Sequence, residues 1–331
     1  MRNNRKRGRP CFFHDLHIYA NMHKQQTKDS LELGGDHMAR VLALFAAATV
    51  IVLLVGCSGG DNSVFTPSGV NYVFVDDPPS GLHIFEVIGT TVSQLTSGSG
   101  NQIQPSVSWD RTKCAFTAQD PGGSHIAVVS LPNGTPHSLT AGPNDTQPAI
   151  SPDGQSIVFV RDSGGPSQLW IMLADGSGAH RLNSGTADAI QPAFSADGRA
   201  VYFSSNPNGN YDIFRVDTLS GGITQITSDP TDEMHPTLRG AYEGLIYSSN
   251  ATGAWRLYYK DATLPDSAGL KITNGPGDDV EPCWPHPENT DLLFTNINGT
   301  TYTIKRLEVF PLLSHTPVVQ LTRDVPQQPS Q

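Results

Sequence analysis

A residue pair ending in proline recurs along this chain at nearly constant intervals: Gln104-Pro105, Gln147-Pro148, Gln191-Pro192, His235-Pro236 and Glu281-Pro282. The prolines are 43, 44, 44 and 46 residues apart. A second landmark closes each unit: Leu95-Thr96, Leu139-Thr140, Leu182-Asn183, Ile226-Thr227, Ile272-Thr273 and Leu321-Thr322. Six units result. The first aligns through Val64-Phe65-Thr66-Pro67-Ser68-Gly69 with Ala149-Ile150-Ser151-Pro152-Asp153-Gly154, and Ser63 stands where its leading proline would be. A fixed period of this length constrains the fold strongly. Each repeat is one supersecondary unit, and it buries its apolar faces only by stacking on its neighbours.

Each unit holds four short strand signals. One follows the proline, as in Pro192-Ala193-Phe194-Ser195. The second is apolar, as in Ile157 to Val160, Val201 to Phe203, Leu245 to Tyr247 and Leu292 to Phe294. The third alternates, as in Tyr211-Asp212-Ile213-Phe214-Arg215-Val216, and the fourth is the Leu-Thr strand. Asn208-Gly209, Asp175-Gly176 and Asn298-Gly299 separate them, and such pairs supply the positive φ that tight hairpins need. The 32 glycines and 25 prolines fit a turn-rich chain. Four antiparallel strands every 42 to 49 residues match one propeller blade. The expected fold is all-β, a six-bladed β-propeller of four-stranded antiparallel blades. Phe159, Phe203, Tyr247 and Phe294 occupy equivalent positions and are expected to pack between blades.

The repeat resembles the WD40-like β-propeller repeat of the TolB family, whose signature is a proline, a Ser-Pro-Asp-Gly turn, an apolar strand and a closing Leu-Thr. Ser151-Pro152-Asp153-Gly154 matches fully, and Ser195-Ala196-Asp197-Gly198 with one change. Ser108-Trp109-Asp110-Arg111, Leu238-Arg239-Gly240 and Trp284-Pro285-His286-Pro287 are degenerate. The resemblance covers residues 62–325. TolB proteins carry an α/β domain ahead of the propeller, whereas here the first repeat follows the N-terminal segment within about six residues. The chain is therefore similar to the propeller half alone.

Residues 41–56 form an uncharged apolar run preceded by Arg40 and followed by Cys57. The length suits the apolar region of a signal peptide better than a membrane span. Leu54-Val55-Gly56-Cys57 resembles the lipobox of bacterial lipoproteins, which implies a mature chain starting at a lipidated Cys57; an uncleaved anchor helix is the alternative. Acyl chains contribute roughly 0.8 kcal/mol per buried methylene, so several of them hold firmly. The expected organisation is an extension over 1–37 outside the natural product, with translation starting at Met38. A cleaved lipoprotein signal peptide at 38–56 follows, then a lipid-anchored linker at 57–61, the propeller at 62–325 and a disordered tail at 326–331. Export to a bacterial membrane follows, and Ser58 after the cysteine fits outer-membrane sorting in a Gram-negative cell.

The net charge of −10 argues against a nucleic-acid partner, which requires a basic footprint. From Cys57 onward 27 Asp and Glu face 13 Lys and Arg, a net of −14. Cations, basic peptides or neutral surfaces are the expected partners of what should be a monomer. Cys114 and Cys283 fall in units separated by a whole repeat, beyond disulfide reach, so both are expected to be buried free thiols.

The remaining motifs carry little chemistry. Asp153 and Asp197 are expected to shape their own turns. Gly56-Cys57-Ser58-Gly59-Gly60 matches a nucleophile elbow in letters but lacks the strand and helix that motif needs. His180, His235, His286 and His315 are scattered, with no metal spacing and no Ser/His/Asp arrangement. One pattern stands out in the loops entering the first strands: Asn101, Asp145, Asp188, Asp232, Glu233, Asp278 and Asp279. These loops should recur around one face, near the channel mouth. A ring of oxygens there suits Ca²⁺ or the basic groups of a bound peptide; the alternative is that these residues only shape the turns. The expected function is a non-catalytic module binding an envelope protein or peptide. A propeller enzyme of the lyase or peptidase-accessory type, or a glycan-binding propeller using Trp255, Tyr258 and Tyr259, are the alternatives.

Overall fold

The computed structural model describes residues 72–324, apart from 77–80, 89–90, 143, 184, 240–243, 265–266, 285–290, 300 and 310–318. The expected signal segment, Cys57 and the first strand signal around Val64 lie outside the described residues. Every described element is a strand, and the strands group in chain order into six antiparallel sheets. The first sheet contains β1 (Tyr72–Asp76), β2 (His83–Ile88) and β3 (Thr91–Gln94). The second contains β4 (Asn101–Val107), β5 (Lys113–Asp120), β6 (Gly123–Ser130) and β7 (His137–Ser138). The third contains β8 (Asp145–Ile150), β9 (Ser156–Arg161), β10 (Gln168–Leu173) and β11 (His180–Arg181). The fourth contains β12 (Ala189–Phe194), β13 (Ala200–Ser205), β14 (Asp212–Asp217) and β15 (Ile223–Gln225). The fifth contains β16 (Glu233–Arg239), β17 (Gly244–Ser249), β18 (Arg256–Asp261) and β19 (Leu270–Lys271). The sixth contains β20 (Asp278–Cys283), β21 (Asp291–Asn298), β22 (Thr301–Val309) and β23 (Val319–Asp324).

Each sheet is a meander, and its first strand packs sideways on the preceding sheet. Thus β8 lies against β4, β5 and β6, β12 against β8, β9 and β10, β16 against β12, β13 and β14, and β20 against β16, β17 and β18. This is blade-on-blade stacking, and it follows from the period-2 alternation of the second strands. Tyr202 turns toward Leu245 and Tyr247 of the next sheet. Its neighbour Phe203 turns toward Val158, Val160 and Leu169 of the sheet before. Phe159, Phe203, Tyr247 and Phe294 are 0%, 2%, 1% and 1% exposed, and each fills a seam between sheets as its register predicts.

Both repeat landmarks have a structural reason. In the Ser-Pro-Asp-Gly turn, Ser151 Oγ donates to Asp153 Oδ1 at 2.6 Å, and Gln155 N donates to the same oxygen at 3.0 Å. Gly154 takes φ +66°, the left-handed region that glycine enters without strain. The Ser195 hydroxyl holds the Asp197 carboxyl below the usual carboxylate range, as Ser151 does for Asp153. The degenerate second unit keeps this turn, with Arg111 at φ +56° in the place of glycine. The closing Leu-Thr acts as a plug. Thr96, Thr140, Asn183, Thr227 and Thr273 each present a side-chain oxygen to the N–H of Ile84, Ile126, Leu169, Ile213 and Leu257 at 2.8–3.0 Å. Those N–H groups belong to third strands whose described neighbours β3, β7, β11, β15 and β19 are too short to cover them, and an uncovered buried N–H is costly.

The cysteines depart from expectation in part. Cys114 is a free, fully buried thiol, pushed up to about 12 chiefly by burial. Cys283 is disulfide-bonded rather than free. The repeat geometry correctly separates Cys283 from Cys114, but that separation alone did not make Cys283 a free thiol.

Candidate functional site

The loops entering the first strands carry the acids that the sequence singles out. Counting back from each proline, these acids fall into two rows, not one ring. Four residues before the proline stand Asn101, Asn144, Asp188, Asp232 and Asp278; three before it stand Gln102, Asp145, Ala189, Glu233 and Asp279. Asp145 therefore belongs with Glu233 and Asp279, and its place in the outer row is taken by Asn144.

The outer row joins neighbouring sheets. Asn101 Oδ1 accepts from Leu82 N at 3.1 Å, Asp188 Oδ1 from Ser167 N at 2.8 Å, Asp232 Oδ1 from Tyr211 N at 3.0 Å and Asp278 Oδ1 from Trp255 N at 2.9 Å. Each donor sits immediately before the third strand of the preceding sheet, where the ladder has not yet begun. One oxygen of each side chain is thereby committed. In two of them the second carboxylate oxygen is held only loosely: Asp188 Oδ2 lies 3.5 Å from both Asn206 Nδ2 and the Tyr211 hydroxyl, and Asp232 Oδ2 lies 3.4 Å from Asn250 Nδ2.

The inner row is buried in the seams. Asp145 is 0% exposed and accepts from Arg161 Nε at 2.6 Å and Nη2 at 2.8 Å. The guanidinium also lies 4.3 Å from the ring centre of Trp170. Asp279 accepts from Asn296 Nδ2 at 2.7 Å, with Arg256 Nη1 3.8 Å away. Glu233 is 1% exposed, and its Oε2 has no hydrogen-bond partner. Among the described residues no group of three or more His, Cys, Asp or Glu is placed to hold a metal ion.

A third row, which the sequence marks only as the partners of the prolines, stands immediately before them. Gln104, Gln147, Gln191, His235 and Glu281 all adopt positive φ, between +51° and +56°. Each sits at a bulge where the register between first and second strand slips. A non-glycine residue in this conformation is uncommon, and five at one repeat position mark a built feature. The bulge aims the three glutamine side chains at the next sheet. Gln104 Oε1 accepts from Gln147 N at 3.0 Å, Gln147 Oε1 from Gln191 N at 2.7 Å, and Gln191 Oε1 from His235 N at 2.9 Å. This relay runs sheet to sheet through the first strands. The legible signal was the repetition of glutamine itself. His235 continues the row as a neutral ring, pushed down to about 4 by burial and packed edge-on against Trp255 at 6.5 Å.

Of the other candidates, His180 is exposed and bonds the Gly178 carbonyl through Nδ1, while His286 and His315 lie outside the described residues. Tyr258 stacks on Tyr247 at 5.8 Å and is half-buried, as are Tyr259 and Trp255. What remains open on the loop face is a half-buried set of acids and aromatics: Asp188, Asp232 and Asp278 beside Tyr211 and Trp255.

Comparison with known proteins agrees with this architecture. The family model for the TolB beta propeller domain matches residues 64–264. The Protein TolB homolog of Chlorobaculum tepidum is 26% identical over 183 residues; the match spans 55% of this chain and 40% of that protein. The structure of putative TolB from Agrobacterium tumefaciens superimposes with a TM-score of 0.57 at 16% identity, over 66% of this chain and 80% of that one. A puromycin-hydrolyzing peptidase of Mycobacterium tuberculosis gives 0.55 at 14% identity, over 76% of this chain and 44% of that one. At such identities these structures speak for the fold alone, and the chain spans about two fifths of the curated homologue's length. The stacked antiparallel sheets, the Ser-Pro-Asp-Gly turns and the family match over most of the repeat region together show that the chain belongs to the TolB beta propeller domain family.

Proposed function

We propose that this chain is a non-catalytic binding module of the bacterial cell envelope. In this reading its six sheets close into a six-bladed ring, a lipid on Cys57 holds it to a membrane, and a protein or peptide docks on the face of the loops entering the first strands. The observation that carries the reading is the half-buried pairing of Asp188 and Asp232 with Tyr211 on that face. Each carboxylate has one oxygen fixed by a backbone N–H and a second left with only long contacts. Fixed carboxylates beside an aromatic ring suit a basic segment, whose cation gains from both.

The double variant Asp188→Asn/Asp232→Asn tests it. Asparagine keeps the Oδ1 that caps Ser167 and Tyr211, so the thermal midpoint should stay near wild type. Capture of a specific envelope protein from extract should fall at least tenfold, and the wild-type interaction should weaken with added salt. Unchanged capture, or retention on polysaccharide instead, would refute the basic-partner reading. The anchor is checked separately. Cys57→Ala should move the protein from the membrane to the soluble fraction and abolish its labelling by fatty acid.

A further inference from the structure

At several seams a residue of the inner row stands near the first residue of the preceding sheet's third strand, and the side chains there differ in chemistry from seam to seam. Between the first and second sheets His83 Nδ1 hydrogen-bonds Gln102 Oε1. Between the fifth and sixth, Arg256 faces Asp279 at 3.8 Å. Between the third and fourth, Gln168 donates to the Ala187 carbonyl at 2.8 Å, and the inner-row residue is Ala189. Between the fourth and fifth stand two acids, Asp212 at 2% and Glu233 at 1% exposure.

Among the described residues no lysine or arginine acts on either carboxyl. The strand partner of Glu233 is Ser249, at the position where Arg161 neutralises Asp145 two sheets earlier. The groups around Glu233 are Thr227, Asp229 and Asp212, with the Tyr247 and Tyr258 rings from β17 and β18. Asp212 receives Asn210 Nδ2 at 3.4 Å and Gln225 Nε2 at 3.1 Å, with Asp229 and Asp232 nearby. The Arg256 guanidinium is taken up by the carbonyls of Trp255 and Gly275 at 2.6 Å each and of Gly277. A buried carboxyl with an unpartnered oxygen and like charges around it is costly as an anion, and far less so as a neutral acid.

We propose that the seam between the fourth and fifth sheets is a proton-dependent latch, in which Glu233 carries a proton in the folded protein and releasing it to water loosens β14 from β16. Burial, only partly offset by the Thr227 hydroxyl and reinforced by Asp229 and Asp212, pushes Glu233 up to about 7 from its ordinary 4.5. Asp212 is pushed to about 6, again chiefly by burial. The folded state thus holds a proton that the unfolded chain has released. The stability it contributes is fully present below the ordinary carboxylate range and is lost as pH rises through about 7.

Unfolding of the wild type and of Glu233→Gln between pH 5 and pH 8 tests the latch. One retained proton lowers the folding equilibrium constant by up to about tenfold per pH unit across this window. The glutamine variant, neutral throughout, should lose most of that slope and be the more stable protein at pH 8. A wild type without the slope, or a variant that keeps it, would overturn the proposal. Should Glu233→Gln fail to fold, Asp212→Asn serves instead. It removes one of the facing charges and should move the loss of stability to higher pH; an unmoved profile counts against the latch equally.

Discussion

Phe203→Ala should remove about 3–5 kcal/mol of folding stability, measured as a shift in urea midpoint at constant slope. The side chain is 2% exposed and stands in the seam between the third and fourth sheets, against Val158, Val160 and Leu169 on one side. The Phe214 ring of its own sheet lies 5.9 Å away. Neighbouring strands are held by ladders that cannot collapse into the vacated space, so the cavity persists and its cost adds to the lost transfer free energy. A loss below about 0.5 kcal/mol, the range of surface substitutions, would mean that the two sheets do not meet through this residue.

Arg161→Ala should be comparably destabilising, by about 3–5 kcal/mol, for an electrostatic reason. Asp145 has no exposure, and Arg161 supplies both of its charge-assisted hydrogen bonds. Truncation leaves a carboxylate out of water and unpaired, and it also removes the guanidinium from the Trp170 face. The double variant Arg161→Ala/Asp145→Ala discriminates this from simple loss of packing. Removing the stranded charge should recover a large part of the loss, giving a coupling well above the few tenths of a kcal/mol seen for independent sites. Additive losses would show that the pair contributes nothing as a pair.

The architecture was largely legible because the features that build it are periodic. Phe159, Phe203, Tyr247 and Phe294 recur at one register and are buried for one reason, the stacking of like units. The Asp-Gly turns were readable because positive φ selects glycine. The closing Leu-Thr was recognised as a landmark, while its role as a plug became visible only once the third-strand N–H groups it covers were located. The pre-proline glutamines were printed in plain sight. Their positive φ and their hydrogen bonds to the next sheet were not, since a residue before proline is ordinarily extended.

The acids of the entry loops show where such reading stops. Asp145, Asp232 and Glu233 look alike as letters near a turn, yet one is locked in a buried ion pair, one caps a neighbouring backbone, and one is buried with an unpartnered oxygen. The repeat by itself determined the order of the sheets, the residues that fill the seams and the turns that reverse the chain, because those depend on local backbone preference and on an alternation repeated at every unit. The tertiary structure alone decided the partners and exposure of each acid. That depends on which side chain arrives from across the seam, arginine for Asp145 and serine for Glu233, and on how much water the seam excludes.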